Sequence, residues 1–265
     1  MLRQRIVSSL ILIPILIAVI WYGEPWLSIV AALFAGLGAW EFCRLGKSAG
    51  WSPFLPLAIL LVVLFIVAAH SDDGRVMPLM VSAAVLLPLL WMIRHPAPGK
   101  AFPNAIWTIG GAFYLGWTMS HFVLLRDMSE GRHWVFLALF GTFASDTFSY
   151  FVGRAFGKHL MAPTISPKKT WEGAIGGVGG AAGAVVLLAV ITGLNEIGYL
   201  KIVPLGFLIS FFAQAGDLAE SVLKRNAEAK DAGSLIPGHG GVLDRLDSIV
   251  FTIVLVYYWV IWIVE

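Results

Sequence analysis

Charge is what this 265-residue chain has least of. Asp, Glu, Lys and Arg make up 13% of it against 58% hydrophobic residues, and the mean hydropathy is +0.84. A soluble domain carries about a quarter charged residues, so that class is excluded. Cysteine is almost missing: the single Cys43 rules out an intramolecular disulfide and any cysteine-based metal cluster. There is no low-complexity tail and no internal repeat, which removes the usual sign of a repeat-built transporter.

What fills the chain instead is a series of apolar runs close to the ~20 residues that cross a bilayer core. Nine are legible: Ile6–Trp21, Trp26–Phe42, Phe54–Ala69, Val76–Ile93, Ala105–Leu125, Trp134–Phe156, Ala174–Leu194, Ile202–Leu223 and Leu246–Val264. In lipid the backbone must satisfy its own hydrogen bonds, and unbroken apolar runs fit helices rather than alternating barrel strands. The expected fold is therefore all-α, a polytopic integral membrane protein of about nine transmembrane helices. Pro14 and Pro88 fall inside spans and mark expected kinks. Arg3 and Arg5 precede the first run as in a signal peptide. No small-residue cleavage site follows, only "WYGEPW", so the run is kept as a helix.

With the N-terminus in the cytoplasm, only Arg75, Arg126, Arg132 and Lys201 of the eighteen Lys and Arg residues fall on outer segments. That bias satisfies the positive-inside rule and puts Glu265 outside. The loops divide the chain as well. Residues 1–130 read as a scaffold of helices with short connections, and residues 131–265 as a catalytic region with longer, polar inner loops, which usually carry function.

Acids in spans need a partner or a task, because inserting one costs about 2.5–3.5 kcal/mol. Asp146 lies in "FASDTFSYFVGR", Asp217 and Glu220 in "AQAGDLAESVLKR", and Asp244 and Asp247 open the last run. All fall in the inner half of the membrane under this topology. Asp217, Glu220, Ser221 and Lys224 share one helical face, Asp244, Asp247 and Ser248 repeat the pattern, and Asp146, Tyr150 and Arg154 line another. Carboxylate oxygens suit a hard cation such as Mg²⁺, which keeps waters and is shared with substrate phosphates. Asp217 and Asp244 are the expected metal ligands, with Asp146 or Asp247 assisting and a second cation allowed. Glu41 and Glu220 read instead as partners of neighbouring Lys or Arg.

Around these acids lie Lys168, Lys169, Lys224, Arg225, Lys230 and Arg245, alternating with acids and turn residues rather than forming a basic block. Acids for a divalent ion beside bases for phosphate oxygens are the parts of phosphoryl or nucleotidyl transfer. His239 reads as a phosphate-binding or loop-fixing group, and Gly238, Gly240 and Gly241 as providers of turn geometry and close backbone approach. The glycines of "EGAIGGVGGAAGAVV" are no phosphate loop; small residues four apart pack helices in membranes. They leave a homodimer open alongside internal packing.

The stretch "SVLKRNAEAKDAGSLIPGHGGVLDRLDS", Ser221 to Ser248, closely resembles the signature of the phosphatidate cytidylyltransferases, as does "SDTFSYFVGRAFGKHLMAPTISPKKTWEG" upstream of it. The signature elements fall at Ser221, Lys224, Arg225, Lys230, Asp231, Pro237 to Gly241, Asp244, Arg245 and Asp247. Together the two blocks cover roughly the C-terminal half. The resemblance implies an enzyme of the inner, cytoplasmic membrane that turns CTP and phosphatidic acid into CDP-diacylglycerol and pyrophosphate with Mg²⁺. Lys168 and Lys169, Ser221, Gly240 and Gly241 would then meet substrate, and nucleic acid is not expected as a partner. A polyprenol kinase or an archaeol cytidylyltransferase uses similar chemistry on another lipid, and a transporter is the rival of a different class.

Overall fold

The computed structural model describes residues 2–236 and 240–265, the side chains of residues 2–9 and 11 excepted. Every apolar run read from the sequence is helical. The helices are α1 (Leu2–Tyr22), α2 (Trp26–Ser48), α3 (Leu55–Ala68), α4 (Val76–Arg94), α5 (Ala101–Gly111) and α6 (Thr118–Asp127), the last two joined by a π-helical segment, Ala112–Trp117. After α7 (Gly131–Phe156) comes a small antiparallel hairpin, β1 (Leu160–Ala162) and β2 (Ser166–Thr170). Then follow α8 (Trp171–Thr192), α9 (Tyr199–Asn226), α10 (Leu243–Leu246) and α11 (Ile249–Trp259), with a final π turn, Val260–Val264. Among the described residues six helical stretches are long and apolar enough to cross a membrane. This is a multi-pass helical membrane protein. Leu79, Leu86, Leu90 and Ile93 of α4 are exposed, as lipid-facing side chains must be.

The chain divides into two compact units. One comprises Met1–Leu124 with Leu223–Leu246, the other Leu125–Val222 with Asp247–Glu265. The first unit therefore joins most of the signature loop to the N-terminal helices. Its apolar centre is built from Leu61 and Phe65 of α3, Ala84 of α4 and Ala112 of the π segment, with Phe113 and Trp117 packed against it. Gly116 makes this approach possible, since a Cβ there would stand 2.8 Å from Val62 Cα. The widened turn frees the Trp117 carbonyl, which accepts from Ser120 Oγ at 2.7 Å and faces His121 Nδ1 at 2.8 Å.

In the second unit the glycine stripe of α8 serves helix packing. A Cβ at Gly176 would stand 2.5 Å from Val152, one at Gly180 2.5 Å from Phe148, and one at Gly177 would overlap Ser149 Oγ. Between these helices and their neighbours run interhelical hydrogen bonds. Ser145 Oγ meets Ser210 Oγ at 2.7 Å, and Thr142 Oγ1 meets Thr252 Oγ1 at 2.9 Å, all four residues fully buried.

The last span does not open as one continuous helix. α10 ends at Leu246, and Asp247–Ser248 form a turn before α11. The Asp247 side chain takes the Ser248 amide at 2.7 Å, the local competition by which an Asp interrupts a helix. Asp244 thus lies on α10, and Asp247 and Ser248 on the turn that follows it.

Candidate active site

Two polar clusters carry the sequence-predicted residues, one in each unit. In the second unit, α8 is capped by Thr170, whose Oγ1 accepts the Gly173 amide at 3.2 Å. Glu172 in the first turn then gathers the chain leaving α7. Its Oε2 accepts the Lys158 and His159 amides at 3.1 and 3.2 Å, and its Oε1 lies 2.5 Å from His159 Nδ1. This clamp holds the base of the β1–β2 hairpin, whose second strand carries Lys168, exposed, and Lys169, partly buried. Lys169 Nζ stands 2.7 Å from Asp217 Oδ2 on α9, close enough for an ion pair though not aligned as a hydrogen bond. One helical turn on, Ser221 Oγ donates to Asp217 Oδ1 at 3.4 Å, as the i, i+4 spacing requires.

In the first unit the corresponding acid is Asp244. Its Oδ1 accepts from Lys224 Nζ at 2.7 Å, its Oδ2 from Gly241 N at 2.8 Å and Ala232 N at 3.2 Å. The side chains of Lys224 and Asp244 are 13% and 8% exposed, so this charge pair is largely removed from water and is held by backbone amides as well. The loop that supplies those amides is closed by a bridge, Ile236 N donating to Gly240 O at 2.9 Å. Gly240 adopts φ +90°, the left-handed region that favours glycine. Arg225, Lys230, Asp231 and Arg245 are exposed around it. His239, with Pro237 and Gly238, lies outside the described residues.

Several expectations change here. Glu41 is not an interfacial partner of Lys or Arg. It is fully buried and accepts the Leu243 amide at 2.7 Å, because Gly233, Gly241 and Leu243 lie against it on α2. Asp146 is exposed on α7, and Tyr150 OH accepts from Arg154 Nη1 at 3.0 Å on the face their spacing predicts. Among the described residues no three His, Cys, Asp or Glu side chains converge as a metal cluster. Asp217 in one unit and Asp244 in the other are each paired with a lysine, and a single carboxylate is a ligand type magnesium accepts, its other ligands coming from water and phosphate. Sequence reading missed the hairpin and the clamp of His159 by Glu172. The signal for the first was "MAPTISPKKT", where Pro and Thr punctuate a short polar stretch; the second had none.

The cytidylyltransferase family model matches residues 3–263, nearly the whole chain. This chain belongs to the cytidylyltransferase family. It is accordingly an enzyme, a nucleotidyltransferase. It is 32% identical to a phosphatidate cytidylyltransferase of Brucella abortus (biovar 1, strain 9-941), over 97% of this chain and 92% of the relative. To the enzyme of the same name from Pseudomonas aeruginosa it is 31% identical, over 94% and 93% of the two chains. To that of Bacillus subtilis it is 27% identical, over 97% of each. Membership thus extends through the N-terminal helices, where the motif resemblance did not reach.

Proposed function

We propose that this enzyme is a phosphatidate cytidylyltransferase of phospholipid synthesis, forming CDP-diacylglycerol and pyrophosphate from CTP and phosphatidic acid. The observation that carries the reading is the lodging of Asp244 against Lys224 and two loop amides, within the stretch that resembles the phosphatidate cytidylyltransferase signature. A phosphatidate oxygen attacks the α-phosphorus of CTP. The bond from that phosphorus to the α–β bridging oxygen breaks, and pyrophosphate leaves with the electron pair. The nucleophile is already ionised at neutral pH, so the protein needs no general base. Its task is to place two anions together and to neutralise charge.

Lys224, Arg225 and Arg245 would steady the triphosphate, with Lys230, Asp231 and Asp247 shaping the same loop region. Lys168 and Lys169 on the hairpin would meet phosphate oxygens of either substrate, and Ser221, Gly240 and Gly241 would border substrate. Magnesium, when bound, would be held by Asp217 and Asp244, with Asp146 as an accessory acid, and would supply neutralisation of the phosphate charge. The same reading places nine spans in the inner membrane, the N-terminus and the polar loops in the cytoplasm, and phosphatidic acid arriving from the inner leaflet.

The test is direct. Purified protein given labelled CTP, magnesium and phosphatidic acid is expected to put label into CDP-diacylglycerol, in proportion to the pyrophosphate released. Label transferred only to polyprenol or archaeol phosphate, or no lipid labelling at all, overturns the reading. Metal-dependent solute flux without lipid labelling would instead favour a transporter. Single reporter cysteines at Lys47 and Lys201, after replacing Cys43, check the topology by their opposite reactivity to an impermeant thiol reagent.

A further inference from the structure

Glu41 is a buried carboxylate for which the proposed chemistry has no use. It lies on α2, with no exposed surface. Its Oε2 accepts the amide of Leu243, 202 residues further along the chain. Its Oε1 is buried without a hydrogen-bond partner among the described residues and lies against Gly233, where a Cβ would overlap it. A Cβ on Gly241 would stand 2.6 Å from Oε2 and 2.8 Å from Oε1. One carboxylate therefore touches the signature loop at three points.

Those points include or adjoin both backbone amides that hold Asp244. Gly233 follows Ala232, whose amide Asp244 accepts; Gly241 supplies the second amide; Leu243 immediately precedes Asp244 and begins α10. A purely structural latch at this place would be cheaper as an amide or an apolar side chain. A second negative charge beside Asp244 is unfavourable, and a buried acid carries a desolvation cost. What a carboxylate adds is a stronger, charge-assisted acceptor for the Leu243 amide, and hence a firmer register.

We propose that Glu41 is a positioning residue: from the N-terminal helices it fixes Gly233, Gly241 and Leu243 so that Asp244 is presented with its carboxylate correctly held. This rests on the reading of Asp244 as a site residue. It also assigns a part in the reaction to the first half of the chain, beyond that of a scaffold.

The test compares Glu41→Gln, which keeps the length and an acceptor for Leu243, with Glu41→Ala, which removes both. Steady-state kinetics and hydrogen exchange of the peptides spanning 231–246 are measured on each, beside Asp244→Asn. Glu41→Ala is expected to lose more than about tenfold in kcat, since small misplacements of reacting groups are costly, with faster exchange confined to that loop. Glu41→Gln is expected to fall between Glu41→Ala and the native enzyme, the acceptor being restored without its charge. Native kcat in Glu41→Ala, or exchange that rises over the whole chain, overturns the proposal. If Glu41→Ala does not fold, Glu41→Asp decides: it keeps the charge but withdraws it from Leu243, and native kcat in that variant overturns the proposal equally. Native turnover in Asp244→Asn would instead sink the reading of the site, while an inactive Asp244→Asn beside a fully active Glu41→Ala sinks only the positioning role.

Discussion

Two lysine–aspartate pairs of the same 2.7 Å length are built in opposite ways. Asp244 is nearly buried, and besides Lys224 it is gripped by two amides of a glycine-bent loop. Asp217 is 35% exposed and meets Lys169 from a short hairpin, with a single long hydroxyl contact from Ser221. The first arrangement is set before any substrate arrives. The second takes its cation from a hairpin of a three-residue and a five-residue strand and is more open to water. A transferase that must neutralise a triphosphate and then release its products has use for both: a fixed acid to define the geometry and a loosely held cation to follow the charge.

The sharpest way to break this comparison is to remove the lysines. Lys224→Met leaves the Asp244 carboxylate buried with no compensating cation, a change that costs about 3–5 kcal/mol. Thermal unfolding of the detergent-purified protein is expected to shift accordingly. Asp244→Asn is expected to lose more than about tenfold in turnover with the protein still folded, on the scale of deleting a preorganised electrostatic group. Near-native turnover would remove the assignment of this acid as a metal ligand.

Next in size is the packing that supports the Asp217 side. Gly177→Ala drives a methyl group into Ser149 Oγ and towards the Ser145 carbonyl at 3.0 Å. Overpacking of this kind costs about 1–3 kcal/mol. The expected readout is a lower unfolding temperature with the KM for CTP unchanged, because Gly177 and Ser149 lie in the α7–α8 contact and neither is among the proposed site residues. A rise in KM without loss of stability would show that the stripe acts on the site rather than on the helix pair.

Lys169→Met should behave unlike Lys224→Met. Its pair is partly open to water, and such pairs contribute less than about 1 kcal/mol to stability. The loss should appear in catalysis instead, as a KM for CTP or phosphatidate raised severalfold. The native KM should itself rise with ionic strength as screening weakens the hairpin's hold on phosphate. If Lys169→Met and Lys224→Met destabilise the protein equally, the distinction between a fixed and an exchangeable pair is gone.

These differences were only partly legible in the sequence. The hydrophobic runs announced helices, since lipid leaves the backbone no other local solution, and the glycine spacing announced the packing of α8. The i, i+4 relation of Asp217 and Ser221 was readable because it lies within one helix. Glu41 was misread because its partners, Gly233, Gly241 and Leu243, lie about 200 residues away and make contact through backbone atoms, which leave no trace in side-chain patterns. The break at Asp247 was hidden for a related reason: an Asp spaced for a helical face is equally able to capture the next amide. The hairpin was too short to show an alternation.

The smallest effect concerns the buried hydroxyls of the second unit. Thr142 Oγ1 lies 2.7 Å from the Ala138 carbonyl and 2.9 Å from Thr252 Oγ1, yet it has one proton to give. Thr252 Oγ1 in turn lies 3.1 Å from the Ile249 carbonyl. Each hydroxyl therefore keeps a carbonyl on its own helix when its neighbour is removed, and no buried donor is stranded. Thr142→Val is expected to cost only about 0.6 kcal/mol, the usual scale of an interhelical hydrogen bond in a membrane protein. Kinetic constants should stay native, and the double change with Thr252→Val should cost little more than either alone. A loss of more than about 2 kcal/mol would mean that the two hydroxyls lack these fallback partners, and would raise the interhelical link to the rank of the Lys224–Asp244 pair.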